Sequence, residues 1–339
     1  MAVAVPVRAA RGGAEQTMRT ERPLLRPRPL GPGDLVGLVA PSSPFPRESL
    51  ERGIGFLEAH GFRVRVVPEI FESHRGFLAG RDSQRARVLM EMFADPEVRA
   101  VMAIRGGYGS LRLLERLEAE GIRKGPKIFL GYSDATAILL YLLDHCGIVS
   151  FHGPLVVEMG GPAPSVTEQW LLQALTRTEP LGTVPLEEPV WIRKGCAAGP
   201  VVGGNMSVVC SSLGTPWEIN TEGRLFFLEE CYERPYRIDR MLTQLRLAGK
   251  LECAAGIMFG HILPAASSPA ESGPADRDTY TWEVREAIEE ATRGFAGPVL
   301  VGLPVGHSGV NITLPLGVEG VLDSDQGLFA LTEPALQAD

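Results

Sequence analysis

The sequence predicts an α/β protein with an N-terminal doubly wound parallel sheet and a smaller C-terminal mixed α/β domain. Three observations support this fold class. From about residue 30, short β-rich runs alternate with longer helical runs. A stretch rich in Pro, Gly and Thr at residues 160–190 interrupts that alternation. The chain has 339 residues, which is too long for one ordinary core, and 45% of them are hydrophobic, which is too apolar for disorder, so two compact domains are favoured over one large domain.

The N-terminal half opens with the strand Asp34–Ala40, an apolar run between turn signals. The elements that follow are the helix Glu48–His60, the strand Arg63–Val67, the helix Ser83–Phe93, the strand Ala100–Ile104, the helix Leu111–Glu120, the strand Lys127–Leu130, the helix Ala135–Cys146 and the strand Ile148–Phe151. Strands separated by helices form parallel sheets, and such sheets bind ligands beyond the carboxyl ends of their strands. We therefore expect the functional site at that edge.

The C-terminal half mixes strands and helices in a less regular order. Its elements are the strand Arg224–Glu229, the helix Pro235–Leu247, the strand Gly256–Gly260, a loop from Pro264 to Asp278, the helix Trp282–Thr292 and closing strands around 298–302, 318–322 and 328–331. The predicted division is a flexible tail at 1–22, an N-terminal domain at 23–159, a linker at 160–190 and a C-terminal domain at 191–339.

Composition excludes several classes of protein. The chain has 33 Lys+Arg and 41 Asp+Glu, so 33 − 41 gives −8, which leaves no basic surplus for nucleic acid or anionic lipid. The apolar run Ala135–Leu143 is far shorter than the roughly 20 residues that span a membrane, and the N-terminus lacks the pattern of a secretory signal. Five cysteines without a C-x-x-C pair favour a reducing, cytoplasmic setting.

Ser133 stands in the sharpest local motif, a strand followed by Gly131-Tyr132-Ser133-Asp134-Ala135 and then a helix. This order is typical of a nucleophile elbow, which needs small residues two before and two after the serine. A serine that merely caps the helix is the alternative, and the motif alone favours it.

A serine nucleophile needs a base. The chain has six histidines, namely His60, His74, His145, His152, His261 and His307. His307 lies in the loop-like segment VGHSGVNITLPLG, which suits the presentation of a side chain, although a structural role remains the alternative. The histidines show neither H-x-x-H nor HExxH spacing, so we expect no metal and no other cofactor.

Glu229 and Glu230 end the hydrophobic strand RLFFL and would place acids at the edge where α/β sites form. We expect Glu229 to orient the histidine and Glu230 to turn toward solvent or the following helix, because successive strand side chains point to opposite faces. A pair of solvated or helix-capping acids is the alternative.

The glycine-rich turn Arg105–Gly109 follows a strand and precedes a helix. A dinucleotide fingerprint would need glycine where Arg112 stands, so we do not expect a dinucleotide site. The exposed backbone N–H groups of this turn could instead supply an oxyanion donor beside the amide of Asp134.

Taken together, these segments resemble the LD-carboxypeptidases, the muramoyl-tetrapeptide carboxypeptidase family, which includes peptidases that give immunity to microcin C. The resemblance covers about residues 30–335. It rests on GDLVGLVAPSSP, GFLAGRDSQRA, RGGYGS, PKIFLGYSDATA, FHGP, GGNMS, LFFLEECYERPYRIDR and GHSGVNITLPLG in this order.

The resemblance implies a triad of Ser133, Glu229 and His307. It further implies that the N–H groups of Gly107 and Asp134 form an oxyanion hole and that Asn205 faces the substrate. It also implies a flavodoxin- or glutaminase-like N-terminal domain, a smaller C-terminal domain and a homodimer. The sequence departs from the family in its Glu-Glu pair, where Glu-Asp is usual, and in the added tail and Pro264–Asp278 loop.

The function expected from this resemblance is serine-type hydrolysis of the bond before a C-terminal D-alanine in cytoplasmic murein peptides, with Arg105 holding the terminal carboxylate. One alternative is an immunity peptidase that cleaves a peptidyl or aminoacyl nucleotide, with Trp217 stacking on the base. Another is a non-catalytic protein that binds a small ligand. An intact set of Ser133, Glu229 and His307 favours the enzyme.

Overall fold

The computed structural model describes residues 23–338 apart from 187, 265–273 and 308, and gives only the backbone of 264 and 274–281. The strands are β1 (Leu35–Val39), β2 (Arg63–Arg65), β3 (Val98–Ala103), β4 (Ile128–Gly131), β5 (Ser150–His152), β6 (Gly182–Thr183), β7 (Val190–Arg193), β8 (Cys196–Asn205), β9 (Leu225–Glu233), β10 (Gly256–Pro264), β11 (Val299–Val301), β12 (Leu314–Leu316), β13 (Glu319–Asp323) and β14 (Leu328–Leu331). The predicted flexible tail at 1–22 lies outside the described residues.

Eight α-helices occur in the same ranges. They are α1 (Arg47–Ala59), α2 (Asp82–Ala94), α3 (Ala119–Arg123), α4 (Thr136–Asp144), α5 (Ser165–Thr176), α6 (Met206–Ser212), α7 (Pro235–Leu247) and α8 (Pro274–Ala291). Within these ranges, no helix is long and apolar enough to cross a membrane.

The first sheet has six strands in the order β12-β5-β4-β3-β1-β2. Strands β1 to β5 are parallel, and β12 joins antiparallel to β5. All residues of β1 are buried, as expected for a strand covered by helices on both faces. In this register Gly131 lies beside His152, so the elbow motif and the FHGP segment meet at the carboxyl edge.

The second sheet has eight strands in the order β6-β14-β13-β8-β9-β10-β11-β7. Strands β8 to β11 are parallel, and Asn205 on β8 pairs with Glu229 on β9. Phe226, Phe227 and Phe259 fill the interior, and one hydrophobic cluster is continuous between the two sheets. The helix α4, buried from Thr136 to Leu143, packs against β8 and α6, so the helix that follows Ser133 fixes one half of the chain against the other.

The prediction of an α/β protein with two sheets is confirmed. The division of the chain at residues 160–190 stays a prediction, although this stretch contains α5 and contributes β6, while β7 begins at Val190. Strands β6, β7, β8 and β12 are additional elements, and β8 and β12 show why they were missed. Glycine-rich β8 lacks a β-branched run, and β12 is only three residues long, so neither carries a sequence signal for a strand.

Three predicted elements need correction. The predicted helix Leu111–Glu120 is a 3₁₀-helix at Leu111–Arg116 followed by α3, because Leu117 is extended and its carbonyl accepts the Tyr141 hydroxyl. The predicted loop 264–278 already contains the start of α8 at Pro274, where proline suits a helix N-terminus. Strand β9 does not end at Glu229 but continues to Glu233, because β10 extends beside it.

Candidate active site

Ser133 lies at the carboxyl end of β4, on a 3₁₀ turn that leads into α4. Its φ of +59° is in the left-handed region, which is uncommon for a residue other than glycine and marks a strained turn. A Cβ at Gly131 would lie 3.0 Å from the Cβ of Ala135, so the turn needs small residues at both flanking positions. The serine is half-buried and lines a cavity.

The glycine turn after β3 passes directly over Ser133. A Cβ at Gly106 would lie 2.9 Å from Ser133 Oγ and 3.6 Å from the backbone nitrogen of Asp134. Gly107 has φ +108° and a Cβ there would collide with Ser43. Glycine at 106 therefore allows this backbone to approach Ser133 closely, and glycine at 107 is required by the positive φ and by the neighbouring Ser43.

Asp134 joins the elbow to that glycine turn through its buried side chain. Its Oδ2 accepts hydrogen bonds from the Ser42 hydroxyl at 2.6 Å and from the Ser110 backbone N–H at 2.7 Å. Charge-assisted bonds of this kind are about twice as strong as neutral ones. Ser42 and Ser110 thus hold the backbone around Ser133, a role that the pattern of strands and turns did not reveal.

Glu229 and His307 form a hydrogen-bonded pair at the same edge. His307 Nδ1 lies 2.8 Å from Glu229 Oε2, and the glutamate is fully buried. Gly306 has φ +106°, and a Cβ there would lie 2.7 Å from Glu229 Oε2. The glycine before the histidine therefore allows the acid and the base to meet. Asn311 holds this loop by accepting the Gly306 N–H at 3.1 Å.

The pKa of His307 reflects two opposed effects. Burial lowers it, but side-chain hydrogen bonds with Cys231 and Glu229 outweigh burial and raise the pKa above the ordinary 6.5. The imidazolium is therefore well stabilised in this site. His152, close by and fully buried, behaves in the opposite way, because burial lowers its pKa to about 4 and keeps the ring neutral.

Glu230 does not turn toward solvent or the following helix, which corrects the sequence-based expectation. It is buried and accepts hydrogen bonds from the Asn205 side chain at 3.0 Å and from the backbone N–H groups of Ser207 at 2.7 Å and Cys231 at 2.9 Å. The N-terminus of α6 presents free N–H groups and favours an anion, which explains why the carboxylate lies there.

Two cavities open on either side of His307. The first has a volume of about 570 Å³ and is lined by Ser133 and His307 together with Arg105, Gly107 and Asn205. The second has a volume of about 420 Å³ and is bounded by α1, α5 and the segment 159–163. Both cavities share five lining residues, namely Tyr132, Val157, Glu158, Tyr232 and His307. The site is thus one cleft with two lobes.

Comparison with known proteins agrees with this geometry. Models of the LD-carboxypeptidase N-terminal and C-terminal domains match residues 36–153 and 198–322. The chain belongs to the LD-carboxypeptidase family. The probable murein peptide carboxypeptidase of Bacillus subtilis is 37% identical over 309 residues, which cover 88% of this chain and 92% of that protein.

Solved structures of the family are similar over nearly their whole length. The muramoyltetrapeptide carboxypeptidase of Oxalobacter formigenes is 29% identical with a TM-score of 0.74, covering 88% of this chain and 99% of that one. The microcin C7 self-immunity protein MccF, which is from Escherichia coli, gives 25% identity and a TM-score of 0.81, covering 92% of this chain and 100% of that one. The predicted family and the predicted class of enzyme, a serine-type LD-carboxypeptidase, are confirmed.

Within this LD-carboxypeptidase, most residues singled out from the sequence line the first lobe. Asn205 lies in its wall as the N-cap of α6, where its Oδ1 accepts the Val208 N–H at 3.2 Å. Arg105 is exposed there and its guanidinium donates to the Pro44 carbonyl. Trp217 is different, because it lines neither lobe and packs partly buried against the core.

The lining residues that were not singled out as site residues from the sequence include Tyr132, Glu158, Cys231 and Tyr232. Tyr132 directly precedes Ser133, and Cys231 and Tyr232 follow Glu230, so their only available signal was proximity in the chain. Glu158 lies four residues after the FHGP segment and carried no such signal. Tyr132 packs its ring 4.7 Å from the His307 ring and donates its hydroxyl to Glu158 at 2.5 Å.

Proposed function

We propose that the protein hydrolyses the peptide bond between an L-centre and a C-terminal D-amino acid, releasing D-alanine from a murein tetrapeptide. The observation that carries this proposal is that two groups line one lobe of the cleft and a third lies buried behind them. Ser133 occupies a strained turn, His307 lines the same lobe, and the buried Glu229 holds the imidazole at 2.8 Å. A nucleophile, a base and an orienting acid are the parts that covalent acyl transfer needs.

In the proposed reaction Ser133 Oγ attacks the scissile carbonyl and His307 takes its proton. Glu229 holds the resulting imidazolium, which then returns the proton to the leaving amine. A water molecule hydrolyses the acyl-enzyme by the same route in reverse. The N–H groups of Gly107 and Asp134 would bind the oxyanion, and the short approach of Gly106 to Ser133 supports that assignment.

Recognition of the substrate's terminal carboxylate requires a cation in the cleft. Arg105 is our candidate, because it lines the lobe that contains Ser133 and keeps its side chain exposed. Asn205 would act by shaping the wall of that lobe, since its amide already bonds Glu230 and the helix N-terminus.

A second candidate function is cleavage of a peptidyl or aminoacyl nucleotide. MccF has been solved in complex with glutamyl sulfamoyl guanosine, and the second lobe is much larger than an alanine leaving group requires. Trp217 lies outside both lobes and gives this alternative no stacking platform. A non-catalytic binding role is disfavoured by the hydrogen-bonded Glu229–His307 pair beside Ser133.

Mass spectrometry after parallel incubations tests these proposals. The substrates are UDP-MurNAc-tetrapeptide, free tetrapeptide and an aminoacyl sulfamoyl nucleoside. We expect both tetrapeptides to lose one alanine residue. Cleavage of the nucleoside alone would replace the first proposal with the second, and cleavage of none would remove both. We also propose a homodimer in the cytoplasm, and light scattering coupled to size-exclusion chromatography would test the dimer.

A further inference from the structure

The segment GFLAGRDSQRA belongs to the family resemblance, yet the proposed reaction assigns no role to its residues. Arg85 lies in this segment, on α2, and its side chain is only 1% exposed. Burial of a guanidinium is costly unless the charge is paired and hydrogen-bonded. Arg85 Nη2 donates to Asp82 Oδ1 at 2.6 Å, and Arg112 Nη2 donates to the other oxygen of Asp82 at 2.6 Å. The Arg85 charge is therefore compensated within a fixed cluster.

The guanidinium of Arg85 joins two loops at the carboxyl edge of the first sheet. Its Nη1 donates to the Pro41 carbonyl in the loop after β1, and to the Gly109 carbonyl, at 3.1 Å, in the turn after β3. Gly109 has φ +129°, and a Cβ there would lie 2.8 Å from Arg85 Nη1. Glycine at this position therefore lets the buried cation reach the backbone of the turn. One cation thus links both loops that contact the turn carrying Ser133.

The glycine turn depends on support from its neighbours. Three of the five residues Arg105–Gly109 are glycine, which loses more conformational freedom on folding than any other residue. The Gly106 carbonyl accepts the Ser43 N–H at 3.3 Å, and the Tyr108 N–H donates to the Ser43 hydroxyl at 3.1 Å. Within the part of the chain that the structure describes, the N–H of the exposed Gly107 donates to no protein group. The turn is therefore held on both sides of a donor that is available to a ligand.

We propose that Arg85 is a positioning residue that holds the glycine turn over Ser133 and thereby places the Gly107 N–H at the reacting carbonyl. This inference rests on the proposed function, in which that N–H binds the oxyanion. Oxyanion donors act at about 2.7 to 3.1 Å, and a misplacement of about 1 Å can cost about a hundredfold in rate. Arg85 lines neither lobe of the cleft, so it acts through the backbone of the turn. An ion pair that only stabilises the fold is the alternative.

The first test compares R85K with R87K in the release of D-alanine from one tetrapeptide. Lysine keeps the charge but has no planar fork, so it cannot hold Asp82 and both carbonyls in the same geometry. R87K is the matched control, because Arg87 pairs with Glu91 on the exposed face of the same helix. We expect folded R85K to have kcat lower by about ten- to a hundredfold and KM within about twofold, and R87K to have normal kcat. Normal kcat in folded R85K would overturn the inference.

A transition-state analogue separates positioning from stability. In an aldehyde of the product tripeptide, Ser133 Oγ bonds the aldehyde carbon and the serine proton passes to the aldehyde oxygen, which then occupies the oxyanion position. The corresponding tripeptide alcohol cannot form this hemiacetal. We expect R85K to weaken inhibition by the aldehyde about ten- to a hundredfold and inhibition by the alcohol by less than about threefold. Equal weakening of both inhibitors, or of neither, would overturn the role of Arg85 in placing the donor.

Hydrogen–deuterium exchange separates this inference from the proposed reaction, because it needs no turnover. We expect the amides of residues 105–110 to exchange faster in R85K than in R87K and the unaltered protein. Faster exchange in R85K, without D-alanine release by the unaltered protein, would contradict the proposed reaction and support the hold of Arg85 on the turn. Unchanged exchange would overturn the inference, whatever the turnover.

A second variant covers the case in which R85K does not fold. D82N keeps the Arg85 cation and weakens the charge-assisted bond that orients its fork. We expect D82N to change kcat and exchange in the same directions as R85K. Normal kcat together with normal exchange of residues 105–110 in D82N would overturn the inference.

Discussion

Replacing Glu229 with glutamine removes one charge from the Glu229–His307 pair, which we propose activates Ser133, and keeps nearly the same side-chain volume. Glu229 is fully buried and its Oε2 lies 2.8 Å from His307 Nδ1, so the imidazolium formed during the reaction has this carboxylate as its direct counter-charge. The His307 side chain is 16% exposed, which limits screening by water. The main expected effect is therefore on the chemical step.

The size of this effect follows from the charge separation. Two unit charges about 4 Å apart attract by about 4 kcal/mol at an effective dielectric constant of about 20. At about 1.4 kcal/mol per tenfold, we expect E229Q to lower kcat by about a thousandfold. Loss of the correct imidazole tautomer would add to the fall, because a glutamine NH₂ group can donate to Nδ1.

The assay measures D-alanine release from one tetrapeptide by the unaltered protein, E229Q and E230Q, with circular dichroism to check folding. E230Q should lower the melting temperature, because Glu230 accepts two hydrogen bonds from the start of α6 and one from the Cys231 N–H, but it should reduce kcat far less than E229Q. A folded E229Q protein with near-normal kcat, or a larger kcat loss in E230Q, would refute this account of the acid.

Three further predictions concern the surroundings of Ser133. G106A should lower kcat by about a hundredfold, since the new Cβ would lie 2.9 Å from Ser133 Oγ, whereas G55A, in open space on α1, should leave kcat unchanged; equal kcat for both would contradict this. In the pH profile of kcat/KM, activity should fall on the acid side at a midpoint above pH 6.5, because His307 must be neutral to act as a base and its pKa is raised. The C231V variant should move this midpoint to lower pH, because it removes a hydrogen bond that raises the pKa of His307. A midpoint that C231V leaves unchanged would exclude this effect of Cys231. Treatment with EDTA should leave the rate of hydrolysis unchanged. If EDTA abolished activity and added zinc restored it, the histidines would have to be reassigned as metal ligands.

The sequence allowed prediction of the parts of the site that obey local rules. The turn that carries Ser133 requires small residues two positions before and two after the serine, and the sequence displays them as Gly131 and Ala135 between a strand and a helix. The parallel sheet follows from the alternation of apolar strands and helices. The helix Pro235–Leu247 was predicted with its observed bounds, because Pro235 at its start is a strong local boundary signal.

The rest depended on contacts between distant segments. Glu230 is buried because the N-terminus of α6 points at β9. The sequence around the Glu-Glu pair does not indicate that this helix lies next to it. Tyr232 lines the cleft because β9 pairs with β10 through a bulge. The residue pattern of β9 alone does not predict this bulge. Trp217 looked suitable for stacking on a base, yet its position is set by packing against the core.

The central claim is that Ser133 is the nucleophile of an LD-carboxypeptidase, and S133A tests it most directly. The serine occupies a half-buried turn, so removal of its hydroxyl should leave the fold and the melting temperature unchanged. The measurement is the initial rate of D-alanine release from a murein tetrapeptide by the unaltered protein and by S133A. We predict release by the unaltered protein and a loss of about 10⁶-fold in the variant. Comparable release by a correctly folded S133A protein would contradict the account.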